Sequence, residues 1–411
     1  MMKNSLNQAN NSGPLDGIKI VEYGVFHAGP GAGAILGDLG ADVIKIEAVS
    51  GDPLRYWTKV GGIDIAKSDG ESLMYEVSNR NKKGICLDIK TDKGREILHR
   101  LVKAADVFLT NLRSSTKKKL GIDYDSLSKV NPKIIHANVS GYGPEGPMHD
   151  IGAFDPLGQA RSGLMFVTGQ EQPTLLHLGI LDQATAIAVS HAIITALLVR
   201  ERRGIGQSVD ISLYGTALWL QHPNLVISNA LNIDPCVPPA REEHSPLRNT
   251  FCCKDGQWVL GTHHPEEKYW SVFCRLTGQE NLLIDPRFTD EHGRPSNYRE
   301  LIAIFDQVFL TRKRDDWMEI FQKNKLMFTS VQRVEEVEKD EQSVVNGYVV
   351  PFDYRGIGKI NLPGYPIRFG QCKAGTRREA PAIGEHTDLV MQELGYSSSE
   401  IETLKLEQVI K

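Results

Sequence analysis

Roughly the first 140 residues alternate short runs of β-forming side chains with segments typical of helices. IKIVEY (18–23) predicts a strand, HAGPGAG a glycine-rich turn, AILGDLG (34–40) a short helix and DVIKIE (42–47) a second strand. The alternation continues through DVFLTN (106–111) and KIIHANVSG. A strand, a helix and a strand in this order are typical of a parallel sheet with crossover helices. We therefore expect an α/β, Rossmann-like domain at the N-terminus.

The charge balance, the cysteines and the apolar stretches argue against several classes of protein. The 411 residues carry 47 Lys and Arg against 51 Asp and Glu, a formal net charge of −4, whereas nucleic-acid and membrane-surface proteins need a basic excess. The six cysteines show no C-x-x-C spacing, which indicates reduced thiols. The N-terminal segment MMKNSLNQANNSGP lacks the apolar core of a signal peptide. The most apolar stretch, 186–199, is interrupted by Ser190, His191 and Thr195 and is predicted to be too short for a bilayer. We expect a soluble, cytoplasmic protein that binds neither nucleic acid nor membrane.

The composition and the predicted secondary structure change twice along the chain, and these changes predict the domain organisation. A segment rich in proline and charge precedes FCCKDGQWVLGTH, which predicts two strands around an Asp-Gly turn, with helices expected near 267–277 and 297–325. A strand-rich segment and a final helix follow residue 335. The predicted organisation is listed in chain order: a disordered tail (1–14), a large Rossmann-like domain (15–214 with 335–411), a linker (215–245) and a small α+β domain (246–334).

The run GPGAG (29–33) invites comparison with dinucleotide-binding loops, in which glycines admit a pyrophosphate and a later acid holds a ribose. The spacing differs here, because the glycine after Gly33 is Gly37 and Pro30 lacks an amide hydrogen. This disfavours a nicotinamide oxidoreductase. A turn that packs a helix on the sheet and a loop near a nucleotide-like ligand both remain open.

Asp182 stands before an apolar helix predicted over 183–203, which ends in RERRG. An aspartate at this position is typical of an N-cap. The positive end of the helix dipole is expected to keep its carboxylate ionised, and such a carboxylate can attack a carbonyl to form an acyl-enzyme anhydride. Capping and catalysis are compatible, and the pattern alone does not choose between them.

Other candidate sites are weaker. Asp155 and Gln159, in AFDPLGQARSG, equally suit a turn and the start of a helix. No G-x-S-x-G or H-E-x-x-H spacing occurs, so we expect neither a serine or cysteine hydrolase nor a metal site. A set of lysines is either solvated surface charge or a phosphate-binding groove: Lys82, Lys83, Lys90, Lys117, Lys118 and Lys119.

Six stretches spread over the chain share the pattern of one family. They are LDGIKIVEYGVFHAGPGAGAILGDLGADVIKIEAVSGDPLR, NKKGICLDIKTDKGREILHRLVKAADVFLTN, KKLGIDYDSLSKVNPKIIHANVSGYGPEGP, AFDPLGQARSG, LDQATAIAVSHAIITALLVRERRGIGQSVDISLYG and APAIGEHTDLVMQELG. Together they resemble the class III CoA-transferases, which include formyl-CoA and carnitine CoA-transferases. The resemblance implies transfer of CoA from an acyl-CoA donor to a carboxylic acid, with CoA as a substrate and no tightly bound cofactor. It also implies a homodimer of two interlocked rings.

The resemblance implies roles for particular residues. Asp182 falls at the position of the nucleophile, which would form an aspartyl-acyl anhydride and then an aspartyl-CoA thioester. His27 stands where formyl-CoA transferase has a glutamine and would donate a hydrogen bond to acyl or anhydride oxygens, and Asp155 replaces a glutamate near the catalytic centre. Arg55, in GDPLR, is a further expected phosphate or substrate contact. The implied CoA contacts are Ala28, Leu87, Asp88, Ile89, Lys90, Asn111, Leu112, Arg113, Lys119, Leu120, Ile151, Gly152, Ala153 and Phe154.

Departures from the family pattern bear on the substrate. Leu181 and Ala186 replace glycines around the nucleophile, Ala48 replaces a basic residue that packs on adenine, and a glycine run expected within 240–262 is missing. A small oxalate-type acid is therefore disfavoured. GDPLRYW, HSPLRNTFCCKDGQWV and VEKDEQSVVNGYV resemble transferases that act on 2-hydroxy acids such as phenyllactate and 2-hydroxyisocaproate.

Two alternatives within the same fold family remain. One is an α-methylacyl-CoA racemase, which needs a histidine where this chain has Phe154. The other is a non-catalytic relative that binds CoA and in which Asp182 only caps its helix.

Overall fold

The computed structural model describes residues 12–411, apart from 168, 170, 171, 237–239, 290 and 291. The chain forms two compact units. The first contains the residues up to Cys236 and from Asn346 to Lys411, and the second runs from Val237 to Val345. The segment expected to be a linker, 215–245, instead contains most of two helices of the first unit. Pro223 does not interrupt them, because it lies in the first turn of the second helix, where a proline costs no hydrogen bond.

The elements are numbered in chain order within the described residues. The strands are β1 Lys19–Glu22, β2 Asp42–Glu47, β3 Lys59–Val60, β4 Ile63–Asp64, β5 Lys83–Cys86, β6 Val107–Thr110, β7 Ile135–Ser140, β8 Gln207–Ser212, β9 Thr250–Cys252, β10 Trp258–Gly261, β11 Phe328–Val331, β12 Val349–Tyr354 and β13 Gly358–Pro363. The helices are α1 Ala28–Asp38, α2 Leu73–Asn79, α3 Asp92–Ala104, α4 Ser114–Leu120, α5 Tyr124–Leu127, α6 Asp155–Ser162, α7 Ile180–Arg203, α8 Leu213–Leu220, α9 His222–Leu231, α10 Glu267–Leu276, α11 Gly293–Ser296, α12 Tyr298–Phe309, α13 Arg314–Lys323, α14 Val334–Val337, α15 Glu341–Val345, α16 Thr387–Glu393 and α17 Ser398–Leu406.

A parallel sheet forms the centre of the first unit, in the order β5-β2-β1-β6-β7-β8. Along the chain these are the third, second, first, fourth, fifth and sixth strands of the sheet, the order of doubly wound dinucleotide-binding folds. The predicted α/β fold with a parallel sheet is confirmed. Its direction of winding reverses between β1 and β6, and ligands of such sheets bind outside the carboxyl ends of the strands at that point.

Side chains of β1 point alternately into two cores, one on each face of the sheet. Ile20 packs in the core that holds α1 and α7, and Val21 packs in the core that holds α3 and α17. This burial on both faces is typical of parallel strands covered by helices. The face with α1 and α7 is the one that positions the candidate site.

Helix α1 contains the glycine run that was expected to be a turn. It starts at Ala28, so Gly29, Gly31 and Gly33 lie in its first turns, and every residue of the helix is buried. A methyl group on Gly33 would lie 2.0 Å from Glu22 Oε2, and one on Gly31 would lie 3.1 Å from Ala186 Cβ. The glycines therefore let α1 approach β1 and α7 closely, a packing role that overrides the low helix propensity of glycine.

Helix α7 starts at Ile180 after Gly179, which has a φ of +72°. Asp182 is thus the third residue of the helix and not its N-cap, a correction of the predicted boundary. The predicted end is confirmed, since Gly204 terminates the helix with a φ of +72°. The apolar stretch was expected to be too short for a bilayer, but by length and composition alone α7 could cross a membrane, and 44% of its most apolar window is buried inside the protein.

The second unit has an antiparallel sheet in the order β11-β10-β9. The predicted strand pair around an Asp-Gly turn is confirmed, with Val259 opposite Phe251. The helices expected near 267–277 and 297–325 correspond to α10 and to α12 with α13. Its core is aromatic, and the rings of Phe251 and Phe309 stack with centroids 4.3 Å apart.

Candidate active site

Asp182 lies in the first turn of α7, with its side chain partly buried. Within the described residues, its carboxylate takes part in no hydrogen bond, so both oxygens are available to a substrate. Burial raises the pKa of this carboxyl to about 7, and the charge of Asp155 adds to the effect. The raised pKa differs from the expectation that the positive end of the helix dipole keeps the Asp182 carboxyl ionised.

Asp155 holds the helix that carries Asp182. Its buried Oδ2 accepts the backbone N–H of Leu181 over 2.7 Å and that of Asp182 over 3.0 Å. These are amides of the first turn, which have no partner within the helix. Both oxygens of Asp155 accept hydrogen bonds, because the Gln159 amide binds Oδ1. The structure thus brings Asp155 and Asp182 together, and Asp155 binds the backbone of the turn that carries Asp182.

Gln159 extends this support to the segment before α7. It lies one helical turn after Asp155 in α6 and is fully buried. Its amide nitrogen donates to Leu176 O over 2.8 Å, and its Oε1 accepts the Leu176 N–H over 3.0 Å. Leu178, which follows, has a φ of +60°. A branched residue in the left-handed region is strained and persists only where its surroundings hold it.

His27 precedes α1 and contacts α7. Its Nε2 lies 2.9 Å from Gln183 Oε1, and its Nδ1 lies 2.8 Å from Ser78 Oγ. Burial lowers the pKa of His27 to about 4, so the imidazole is neutral at neutral pH. The preceding Phe26 has a φ of +60°, a second strained residue beside the site.

Asn111 secures the loop that carries His27. Its Oδ1 accepts the Val25 N–H over 2.9 Å, and its Nδ2 donates to Val25 O over 2.6 Å. A methyl group on Gly24 would lie 2.8 Å from Asn111 Oδ1, and one on Gly29 would lie 3.2 Å from Asn111 Cβ. Asn111 therefore ties the carboxyl end of β6 to the loop after β1, across the reversal point of the sheet.

Comparison with known proteins shows the family of the chain. The model of CoA-transferase family III matches residues 15–387. The chain belongs to CoA-transferase family III. It is 31% identical to the (R)-2-hydroxy-4-methylpentanoate CoA-transferase of Clostridioides difficile, over 97% of this chain and 99% of the relative. It is also 31% identical to the cinnamoyl-CoA:phenyllactate CoA-transferase of Clostridium sporogenes, over 98% of each chain.

The fold agrees with the family as well. The crystal structure of a CAIB/BAIF family protein from Brucella suis superposes with a TM-score of 0.81 at 28% identity, covering 93% of this chain and 100% of the other. The resemblance of the sequence to class III CoA-transferases, including those that act on 2-hydroxy acids, is thereby confirmed, and the chain is a CoA-transferase by its relatives.

In this family III chain, several of the expected CoA contacts lie at the carboxyl ends of β6 and β7. Arg113 is exposed after β6, and a methyl group on Gly152 would lie 2.5 Å from its guanidinium, so the segment 111–113 meets the segment 151–155. Phe154 is 53% exposed beside Asp155. Lys90 and Lys119 are also exposed.

Other expected contacts have buried side chains. Leu87 and Ile89 belong to the core around α3, and Ala28 is buried in α1, so only their backbone atoms could meet a ligand. Among the lysines considered for a phosphate groove, Lys82 is fully buried and binds both oxygens of Glu22, at 2.9 and 2.8 Å. Burial lowers the pKa of Lys82 to about 7. Lys82 supports β1 and is not a surface cation.

The structure does not support the expected contact between Arg55 and phosphate or substrate. The residue is fully buried, and its guanidinium binds both carboxylate oxygens of Glu47, at 2.9 and 2.7 Å. It also donates to Glu71 over 2.8 Å, to Tyr75 Oη over 2.6 Å and to Pro381 O over 2.9 Å. All three guanidinium nitrogens thus donate within the protein, and Arg55 joins the loop after β2 to α2 and to the C-terminal segment.

Three residues at the site carried no functional interpretation in the sequence analysis. Gln183 lies 156 residues after His27 along the chain and Ser78 lies 51 residues after it, yet both bind His27. No local sequence pattern predicts such contacts. Gln159 had a usable signal, because it follows Asp155 by four residues in a predicted helix and must share its face.

Proposed function

We propose that this protein transfers CoA from an acyl-CoA to a carboxylic acid with Asp182 as the nucleophile. The observation that carries the proposal is the Asp182 carboxylate itself, partly buried without a hydrogen-bond partner among the described residues, in a helix turn whose backbone Asp155 holds in place. Desolvation of this kind strengthens electrostatic interactions with a reacting group and suits a weak nucleophile acting on an activated thioester.

The reaction proceeds through three covalent states of Asp182. Its carboxylate attacks the donor carbonyl, a C–O bond forms and the C–S bond breaks, which gives an aspartyl-acyl anhydride and CoA thiolate. The thiolate attacks the aspartyl carbonyl of the anhydride, releases the donor acid and leaves an aspartyl-CoA thioester. The acceptor carboxylate attacks this thioester to form a second anhydride. The released thiolate then takes the acceptor acyl group and frees Asp182.

CoA is the shared substrate and lies, in this proposal, along the carboxyl ends of β6 and β7. Arg113 is the most favourable phosphate ligand, because it is exposed and its planar guanidinium suits bidentate binding of phosphate oxygens. Lys119 adds a second exposed cation on α4.

The acceptor in this proposal is a 2-hydroxy acid with an apolar side chain. An aromatic cluster stands beside the site, formed by Phe26, Trp57 and Phe154. The ring of Phe26 contacts Phe154 edge to face at 5.0 Å and Trp57 at 6.2 Å, and Phe154 and Trp57 are 53% and 46% exposed. An exposed aromatic wall favours an aryl or branched alkyl group over a second carboxylate. The names of the two relatives, which specify (R)-2-hydroxy-4-methylpentanoate and phenyllactate, support the same class.

The racemase alternative receives no support from this site. The family position that needs a histidine is Phe154, whose side chain packs on Phe26. No second acid or base is thus available there to move a proton at the α-carbon. Deuterium incorporation from D2O at Cα of a 2-methylacyl-CoA would contradict this conclusion.

We also propose that the chain forms the interlocked homodimer of its family. Helices α7, α8 and α9 expose large apolar side chains, among them Ile187 at 56%, Trp219 at 74% and Leu231 at 64%. Apolar surface of this extent is typical of an interface. Light scattering that gave the mass of one chain at micromolar concentration would contradict the dimer.

Intact-protein mass spectrometry after mixing with a panel of acyl-CoAs tests the mechanism. Hydroxylamine or borohydride trapping should give a modification that maps to Asp182, strongest with one apolar acyl-CoA, and Asp182→Asn should give none. Binding of CoA without any adduct across the panel would favour a non-catalytic relative. Absence of CoA binding would contradict the proposed function altogether.

A further inference from the structure

Gln183 follows the nucleophile directly, and its two amide ends have different surroundings. Its Oε1 lies 2.9 Å from His27 Nε2. Its side chain is exposed, and within the described part of the chain its amide nitrogen has no hydrogen-bond partner. One end of the amide is therefore held while the other is free to donate.

The hydrogen bonds of His27 have one consistent direction. A carbonyl oxygen only accepts, so His27 Nε2 carries the proton that faces Gln183 Oε1. A neutral imidazole has a single N–H, so His27 Nδ1 carries no proton and can accept from the Ser78 hydroxyl at 2.8 Å. Ser78 Oγ also donates to Met74 O over 2.9 Å, and because a carbonyl oxygen can accept two hydrogen bonds, the Ser78 hydroxyl has two acceptors within reach.

Helix geometry places the hydrogen bonds that join Gln183, His27 and Ser78 beside Asp182. Asp182 and Ala186 are one turn apart and share a face of α7. A methyl group on Gly31 would lie 3.1 Å from Ala186 Cβ and 3.1 Å from His27 Cε1. The imidazole thus stands against the face that carries Asp182, and because it binds Gln183 Oε1, the Gln183 nitrogen points away from it.

We propose that the Gln183 amide donates a hydrogen bond to the oxyanion that forms when Asp182 attacks an acyl-CoA, and that His27 and Ser78 position this amide. The inference rests on the proposed transferase function. As the new C–O bond forms, the carbonyl electron pair moves onto the oxygen, and it returns when the C–S bond breaks and CoA thiolate leaves. No proton is transferred to or from Gln183 or His27. This revises the direct donor role that the family resemblance implies for His27.

A double-mutant cycle on the rate of Asp182 adduct formation tests the proposal. Gln183→Ala should slow the single-turnover rate about 100-fold, the usual effect of removing one oxyanion donor, with KM for acyl-CoA nearly unchanged. His27→Ala should slow the wild type but add less than about twofold to Gln183→Ala, because it acts through the missing amide. Fully additive losses, or a normal rate in Gln183→Ala beside a slow His27→Ala, would overturn the proposal.

Two further variants separate positioning from folding. Gln183→Glu keeps an acceptor for His27 but no amide donor, so it should stay as slow as Gln183→Ala, and a rate restored to that of the wild type would overturn the donor role. Ser78→Ala removes only a hydroxyl and should move the ring ¹⁵N shifts of His27 from the Nε2–H tautomer while slowing the reaction. Unchanged shifts would overturn the role of Ser78.

The matched control is Gln392→Ala, an exposed glutamine on α16 that should leave the rate unchanged. The wild-type adduct distinguishes the two proposals. If the wild type forms no adduct with any acyl-CoA, the proposed function fails and this inference with it. If the wild type forms the adduct and Gln183→Ala forms it equally fast, only this inference fails.

Discussion

The carboxylate of Asp155 accepts the backbone N–H of Asp182 over 3.0 Å, so two acids from different helices share the first turn of α7. Asp155 thereby does two things at once. It satisfies amides that the helix leaves without partners, and its negative charge helps to keep a proton on Asp182. The position of Asp182 and its protonation are therefore coupled through one side chain.

Replacing Asp155 by Asn should separate these two effects. An Asn oxygen can still accept an N–H, but the charge that raises the pKa of Asp182 is gone. The wild-type rate of adduct formation should rise with pH and level off above about 7, and the midpoint should move to lower pH in Asp155→Asn. Single-turnover trapping between pH 5 and 9 measures both midpoints. An unchanged midpoint would show that the charge of Asp155 does not reach Asp182.

Asp182→Asn should abolish transfer and stabilise the protein above neutral pH. The pKa of Asp182 is raised in the folded protein from 3.8 to about 7, so the wild type loses stability as pH rises through this window, by at most about 4 kcal/mol. The Asn variant has no such loss. Urea unfolding should therefore show equal free energies near pH 4 and a more stable variant near pH 8. A variant less stable than the wild type at pH 8 would contradict the buried, proton-holding environment.

Arg55→Met should reduce stability without weakening CoA binding by the folded protein. The substitution leaves the buried Glu47 without its bidentate partner, and breaking such a pair typically costs about 3–5 kcal/mol. Denaturant unfolding measures the loss, and calorimetric titration with CoA measures the affinity. A stable variant with weakened CoA binding would restore the ligand role that the sequence suggested.

The sequence predicted the fold where the signal was local. Alternating β-forming and helical segments were enough to predict the parallel sheet, and Gly204 was enough to predict the end of α7. The start of α1 was missed because its glycines have low helix propensity, and the reason for the helix is tertiary: Glu22 and Ala186 leave no room for side chains at Gly33 and Gly31.

The site was less predictable, because its contacts join distant segments. Asp182 was singled out by its position before a helix and by the family resemblance. The bonds from His27 to Ser78 and Gln183 span α2 and α7, and no spacing in the sequence encodes them. Arg55 was expected to contact phosphate or substrate, and its pairing with Glu47, at the end of β2, depends on how the loop between them folds.

Arg113→Met should show the opposite behaviour to Arg55→Met. The Arg113 side chain is exposed beside Gly152, so its loss should leave the free energy of unfolding within about 0.5 kcal/mol of the wild type. If its guanidinium binds a CoA phosphate, affinity for CoA should fall about tenfold, and added salt should reduce the difference between variant and wild type. Titration at low and high salt measures this, with the exposed Arg100→Met on α3 as the control. Equal CoA affinity in all three proteins would move the phosphate site away from the carboxyl end of β6.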